Sequence, residues 1–114
     1  MDTKIRKVEA MDQRLQQIEQ ELKEFKEAIE DISPTDGVWL FGSQVSGKQK
    51  EYSDIDVAVV SAGLNQNYWD KRKKIVKLGM KINDSFELHL FSPEEFANPY
   101  DPLVAEIKKY GVRI

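Results

Sequence analysis

Residues 54–60, DIDVAVV, constrain the fold of this chain more than any other stretch. A run of valine, isoleucine and alanine has the composition of a buried strand, yet this one starts with two carboxylates. Successive side chains on a strand alternate faces, so Asp54 and Asp56 project one way and Ile55 the other. Burying an unpaired charge costs several kcal/mol or more. Something in the folded site, or bound to it, must therefore compensate these aspartates. An earlier apolar run, residues 38–41, ends at Gly42-Ser43, and ten residues separate that dipeptide from Asp54.

The two runs belong to an α/β pattern. Residues 2–32 read as one long helix, because Val8, Met11, Leu15, Ile18, Leu22, Phe25, Ile29 and Ile32 recur at alternating spacings of three and four. That 3.5-residue period makes a narrow apolar seam of coiled-coil type. The second half of the seam is expected to pack on the core. The first half is expected to extend beyond it and to meet another copy or a partner. Pro34 and Gly37 then break the helix. Strands are expected at 38–41, 55–60 and 85–91, and a helix at 68–82 with Trp69, Ile75, Val76, Leu78 and Ile82 available to its buried side; Tyr68 and Trp69 read as packing residues. Ser92-Pro93 with Glu95, and Asp101-Pro102, are start signals for two short helices. The expected architecture is a two-layer α/β fold, a short mixed sheet with helices packed on it plus the long N-terminal helix, with the core domain at 33–114.

Bulk properties narrow the class. A chain of 114 residues is expected to form one domain. With 17 basic and 20 acidic residues it lacks the basic excess of a general nucleic-acid binder. The absence of cysteine excludes disulfides and thiolate metal sites. No apolar run has the length of a membrane span, and the first residues lack the apolar core of a signal peptide. A cytoplasmic protein without membrane or direct nucleic-acid partners is the expectation.

The chemistry follows from strand order. If residues 38–41 and 55–60 pair antiparallel, the Gly-Ser turn lies beside the aspartates. A helical crossover normally links parallel strands, so 85–91 should run parallel to 55–60. Asp56 and Glu87 are each the third residue of their run, which places them level and on one face. Asp54, Asp56 and Glu87 thus converge beside a turn with free N–H groups. Hard oxygen ligands suit Mg²⁺ or Mn²⁺, with substrate phosphates completing the shell. His89, two residues past Glu87, faces the same way and reads as a hydrogen-bonded neighbour of the site. The basic run Lys71–Lys74 reads as a solvated helix face.

At Gly42-Ser43, ten residues, Asp54-Ile55-Asp56, with "LFGS", "SDIDVAVV" and "FELHLFSPEEF" around them, the chain resembles the nucleotidyltransferase superfamily of DNA polymerase β type. Within it, the chain is similar to the stand-alone minimal nucleotidyltransferases, over about residues 20–114. The resemblance implies Asp54 and Asp56 as metal ligands, Gly42 and Ser43 as nucleotide contacts, and Glu87 as the third carboxylate, a metal ligand that also helps deprotonate the acceptor. It implies Mg²⁺ and ATP as cofactor and co-substrate. It also implies a HEPN-class toxin as partner, silenced by transfer of AMP to a tyrosine. Gln44 stands where the family often has arginine, and Glu87 where it often has aspartate. Two other readings compete: a catalytically weak or inactive fold acting as a binding antitoxin, and nucleotidylation of an antibiotic hydroxyl, for which so short a core leaves no second domain to form a drug pocket unless a dimer supplies it.

Overall fold

A computed structural model describes residues 2–46 and 54–114, with side chains for 13–45 and 54–114. The side chains of Val8 and Met11, and most of the spacer between Gly42-Ser43 and Asp54, lie outside the described residues.

Helix α1 spans Asp2–Ile29. Its described surface is rich in Glu, Gln and Lys, all strong helix formers, and the described part of its apolar seam faces the sheet. Ile18, Leu22, Phe25 and Ile29 are buried, and Leu15 packs against the same cluster. The helix ends three residues short of the expected 32. The amides of Ile32 and Ser33 both close onto the Ile29 carbonyl, each at 2.9 Å. Ser33 precedes a proline, which disfavours helical backbone there, and Ile32 still packs on the core from the turn.

Strand β1 (Gly37–Phe41) leads through Gly42 into a one-turn helix α2 (Ser43–Ser46). Strand β2 is Ile55–Val60, followed by a 3₁₀ turn, Ala62–Asn65, and helix α3, Tyr68–Ile82. Strand β3 (Phe86–Phe91), α4 (Pro93–Phe96), α5 (Pro102–Tyr110) and a two-residue strand β4 (Val112–Arg113) complete the chain. Both short helices start as their sequences dictate. Ser92 and Glu95 form a reciprocal capping box, and the Asp101 carboxylate accepts from the amides of Leu103 and Val104.

The sheet order is β3-β2-β1-β4. β1 pairs antiparallel with β2 and β4, and β2 pairs parallel with β3. Alternation sorts the two faces. Val38, Leu40, Ile55, Val57, Val59, Phe86 and Leu90 pack under α1 and α3. Phe41, Ala58, Val60 and Phe91 point to the opposite face, where Phe96 of α4 and Val104 and Ile107 of α5 cover them. That second cover is short and leaves the strand starts of this face open. The site sits there.

Helix α3 corrects one sequence expectation. Trp69 does not join its buried side. It is 77 % exposed and stands edge-on to Tyr68, at 5.1 Å between ring centroids. Tyr68 packs against the main core instead, alongside Ile75, Leu78 and Ile82. Among the described residues, no helix is long and apolar enough to cross a membrane.

Candidate active site

The register places the carboxylates where the two apolar runs predict. Phe41 is opposite Asp56 in the antiparallel pair, and Asp56 is opposite Glu87 in the parallel pair. The last residue of β1 and two strand-start carboxylates therefore form one row across three strands. Asp56 and Glu87 both project toward the α4/α5 face, in the part that those helices leave open.

Three side chains come together at this point. Ligand atoms of Asp56, Glu87 and His89 all lie within 4.8 Å of one another. His89 Nε2 lies 3.3 Å from Asp56 Oδ1, in hydrogen-bonding range, and the edge of the His89 ring meets Phe41 at 5.1 Å. A ring held on one side by Phe41 and on the other by a carboxylate has little freedom to turn. His89 thus belongs to the cluster itself, the hydrogen-bonded neighbour expected because residues two apart on a strand share a face and His89 follows Glu87 by two.

Gly42 makes room for the cluster. It has φ of +78°, the left-handed region, and a β-carbon built on it would stand 2.3 Å from Asp56 Oδ2. Glycine is required there for both reasons. The bend carries Ser43 into α2, and the Val45 amide closes it on the Gly42 carbonyl at 3.1 Å. Ser43 is half-buried at the start of that turn.

Asp54 is placed differently. It precedes β2, is exposed, and is not one of the three residues that converge. Its backbone is tethered by Gln44, whose Nε2 points at the Asp54 carbonyl at 3.5 Å. Gln44 is only 2 % exposed, and its Oε1 has no hydrogen-bond partner among the described residues. The side chain at this position is therefore buried and does not reach outward as a cation toward phosphate would. An orphaned buried carbonyl costs about 1–3 kcal/mol. Gln44→Met keeps the volume and removes the orphan, so its stability should be unchanged or higher by up to ~1 kcal/mol. Transfer should fall a few-fold because the Asp54 tether is lost. Urea unfolding and initial rates on the same preparations separate the two effects.

The donor set fits a hard divalent cation. Two carboxylates and an imidazole within 4.8 Å offer three ligands, with the face open for others. A bound ion would also offset the mutual repulsion of Asp56 and Glu87.

Comparison with known proteins agrees with this geometry. The family described as "Nucleotidyltransferase domain" matches residues 22–114. The "Probable protein adenylyltransferase MntA" of Haemophilus influenzae is 45% identical over 42 residues, and the match covers 37% of this chain and 37% of that protein. The chain is thus aligned to little more than a third of the length of that curated relative. Among solved structures, the "Crystal structure of a putative nucleotidyltransferase from Sulfolobus solfataricus" superposes with a TM-score of 0.55 at 22% identity, covering 85% of this chain and 80% of the other. At that identity the likeness concerns the fold. With a family match running from the last third of α1 to the last residue, and with the acidic row and its glycine in place, the chain belongs to the nucleotidyltransferase domain family.

Proposed function

We propose that this chain transfers AMP from ATP to a hydroxyl of a partner protein, using Mg²⁺ or Mn²⁺, and that the partner is a helical HEPN-class toxin which the transfer silences. The observation that carries the reading is the convergence of Asp56, Glu87 and His89 beside a glycine whose missing side chain makes room for Asp56. The partial match to the Haemophilus protein named as an adenylyltransferase supports AMP and a protein acceptor. The HEPN partner rests on the resemblance of the Gly-Ser…Asp-x-Asp motif to the minimal nucleotidyltransferases.

Asp56 and Glu87, with Asp54 drawn in from the mouth of the strand, would hold the cation. When bound, that ion stabilises the charge that develops on the phosphate oxygens during an in-line displacement. The remaining work falls to the chain. Gly42 lets the backbone approach a phosphate, and Ser43 adds a hydroxyl and an amide. His89 holds the Asp56 carboxylate in one orientation. Glu87, the most exposed of the three, takes the acceptor proton. The acceptor oxygen bonds to the α-phosphorus, the bond from that phosphorus to the bridging oxygen breaks, and pyrophosphate leaves with the electron pair.

The buried Gln44 favours a second reading, a binding antitoxin without transfer, because it supplies no cation to the nucleotide. One experiment separates them. The chain is mixed with a helical HEPN-class protein, ATP and Mg²⁺, and both proteins are weighed intact. A gain of one or more AMP on the partner is the expected result. A stable complex with neither mass changed would establish the binding reading and remove the enzymatic one.

A further inference from the structure

β3 is an edge strand, and among the described residues its outer side is bare in a way that natural sheets usually prevent. The Ile55 amide donates to the Ser85 carbonyl and the Ser61 amide to the Phe91 carbonyl, at 2.9 and 3.0 Å. In a parallel ladder this parity turns the backbone of Glu87, His89 and Phe91 inward to β2. The N–H and C=O groups of Leu88 and Leu90 consequently point away from the sheet. The Phe86 amide is the exception on that side, closing on Asn83 at 3.2 Å. The strand FELHLF carries no lysine, proline or bulge of the kind that blunts an edge. A groove of about 560 Å³ runs along the whole of β3, bounded by Tyr68, Arg72 and Val76 of α3 and by Leu103 of α5. Glu87 and His89 belong both to this groove and to the acidic cluster.

We propose that the groove receives an extended segment of the acceptor protein, which adds to the sheet as a strand beside β3 and so delivers its hydroxyl to Glu87. The inference rests on the protein-acceptor reading above and names how that acceptor is held. Strand addition uses main-chain hydrogen bonds for affinity and alternate side chains for specificity. A guest residue level with Glu87 has its side chain on the face of Glu87, about 4.5–5.5 Å away between β-carbons. A tyrosine, serine or threonine there carries its hydroxyl on the face of the sheet that bears the Glu87 carboxylate. The guest residue next in line, level with Leu88, turns to the α3 side, where Arg72 lines the groove and no ion pair to it occurs among the described residues. Charge complementarity therefore selects an acidic neighbour for the hydroxyl residue. In the transfer step the guest O–H oxygen bonds to the α-phosphorus of the nucleoside triphosphate, pyrophosphate departs, and the proton passes to Glu87 and then to water.

The chain contains no cysteine, so Asp84→Cys, exposed just before β3, gives a unique attachment point. The probe is a peptide of alternating valine and threonine with one central tyrosine flanked by glutamate, tethered there by a Gly/Ser linker long enough for either strand direction. Tethering raises its effective concentration to the order of mM. Amide hydrogen exchange at Leu88 and Leu90 should slow at least tenfold relative to the linker alone. Two twins N-methylated on alternate sets of residues should differ, one losing the protection and the other keeping it. Arg72→Glu should weaken the protection about tenfold and a lysine-flanked peptide should restore it. No slowing with the tethered peptide, or equal protection by both twins, overturns the proposal. Protection that grows with concentration in the untethered chain also overturns it and assigns the edge to a second copy. The exchange experiment runs equally well in the Asp56→Asn background. Protection there and in the wild-type chain, with no AMP gained by the tyrosine, leaves the strand addition standing and removes the transfer reading.

Discussion

Asp56→Asn should lower nucleotidyl transfer on the order of 10³-fold while the fold survives. The side chain keeps its shape but loses the charge that makes it a ligand, and it stands in the middle of the row, between the end of β1 and Glu87. Removing a group that holds a catalytic cation forfeits several kcal/mol of transition-state stabilisation, and each 1.36 kcal/mol is about tenfold in rate. Stability should move the other way or not at all. Two carboxylates within 4.8 Å repel in the metal-free protein, and solvent at this open face screens that repulsion to about 1 kcal/mol or less. Relief of it makes the variant equal to or slightly more stable than the parent, a trade often found where function demands strained charge. The cation dependence gives a second measure. Mg²⁺ with ATP should raise the melting temperature of the parent, since a ligand that binds only the folded state stabilises it, and should raise that of the variant far less. A variant that keeps more than a tenth of the parental rate would remove Asp56 from the centre of the mechanism.

The level pairing of Asp56 with Glu87 was legible because three local rules agree on it: period-two alternation in each run, a helical crossover between them, and equal positions counted from the strand starts. The buried half of α1 was legible for the same kind of reason, a seam of period 3.5 continuing through Ile18, Leu22, Phe25 and Ile29. What could not be read depended on distant partners or on loop geometry. Val112–Arg113 is too short to signal a strand, and it forms one only because β1 offers Trp39 and Leu40 as partners. Gln44 follows Gly-Ser in what reads as a polar turn. Its burial comes from the path that the left-handed Gly42 gives to α2, which no residue count reveals. Trp69 is an error of a different sort. Tyr68 precedes Ile75 by seven residues, about two turns, and shares its face, while Trp69 precedes it by six and is rotated off. Its size invited burial, but the helical angle decided against it. Asp54 shows the limit of motif reading: the pattern joins it to Asp56, yet the fold leaves it exposed at the strand mouth, tethered through its backbone.

Gly42→Ala should abolish most transfer by a route that leaves nearly every contact of the core untouched. At φ of +78° an alanine costs about 1–2 kcal/mol for its backbone alone. Its β-carbon would also stand 2.3 Å from Asp56 Oδ2 and 3.2 Å from Asp56 Cγ. The neighbour that can yield is the Asp56 side chain, since the strand behind it is held in register by β1 on one side and β3 on the other. Swinging the carboxylate away breaks its 3.3 Å contact with His89 and separates it from Glu87. Stability should therefore fall by about 1–2 kcal/mol, a drop of several degrees in melting temperature for a domain of this size, while transfer falls by about 10²–10³-fold. The disproportion between the two is the signature of a displaced ligand. A double variant with Asp56→Asn tests the cause, because substitutions that act through the same carboxylate are not additive in rate. Adding Gly42→Ala to Asp56→Asn should cost little further activity. If the two losses instead multiply, the glycine serves transfer by some means other than making room for Asp56, with close approach of the backbone to phosphate the first alternative to test.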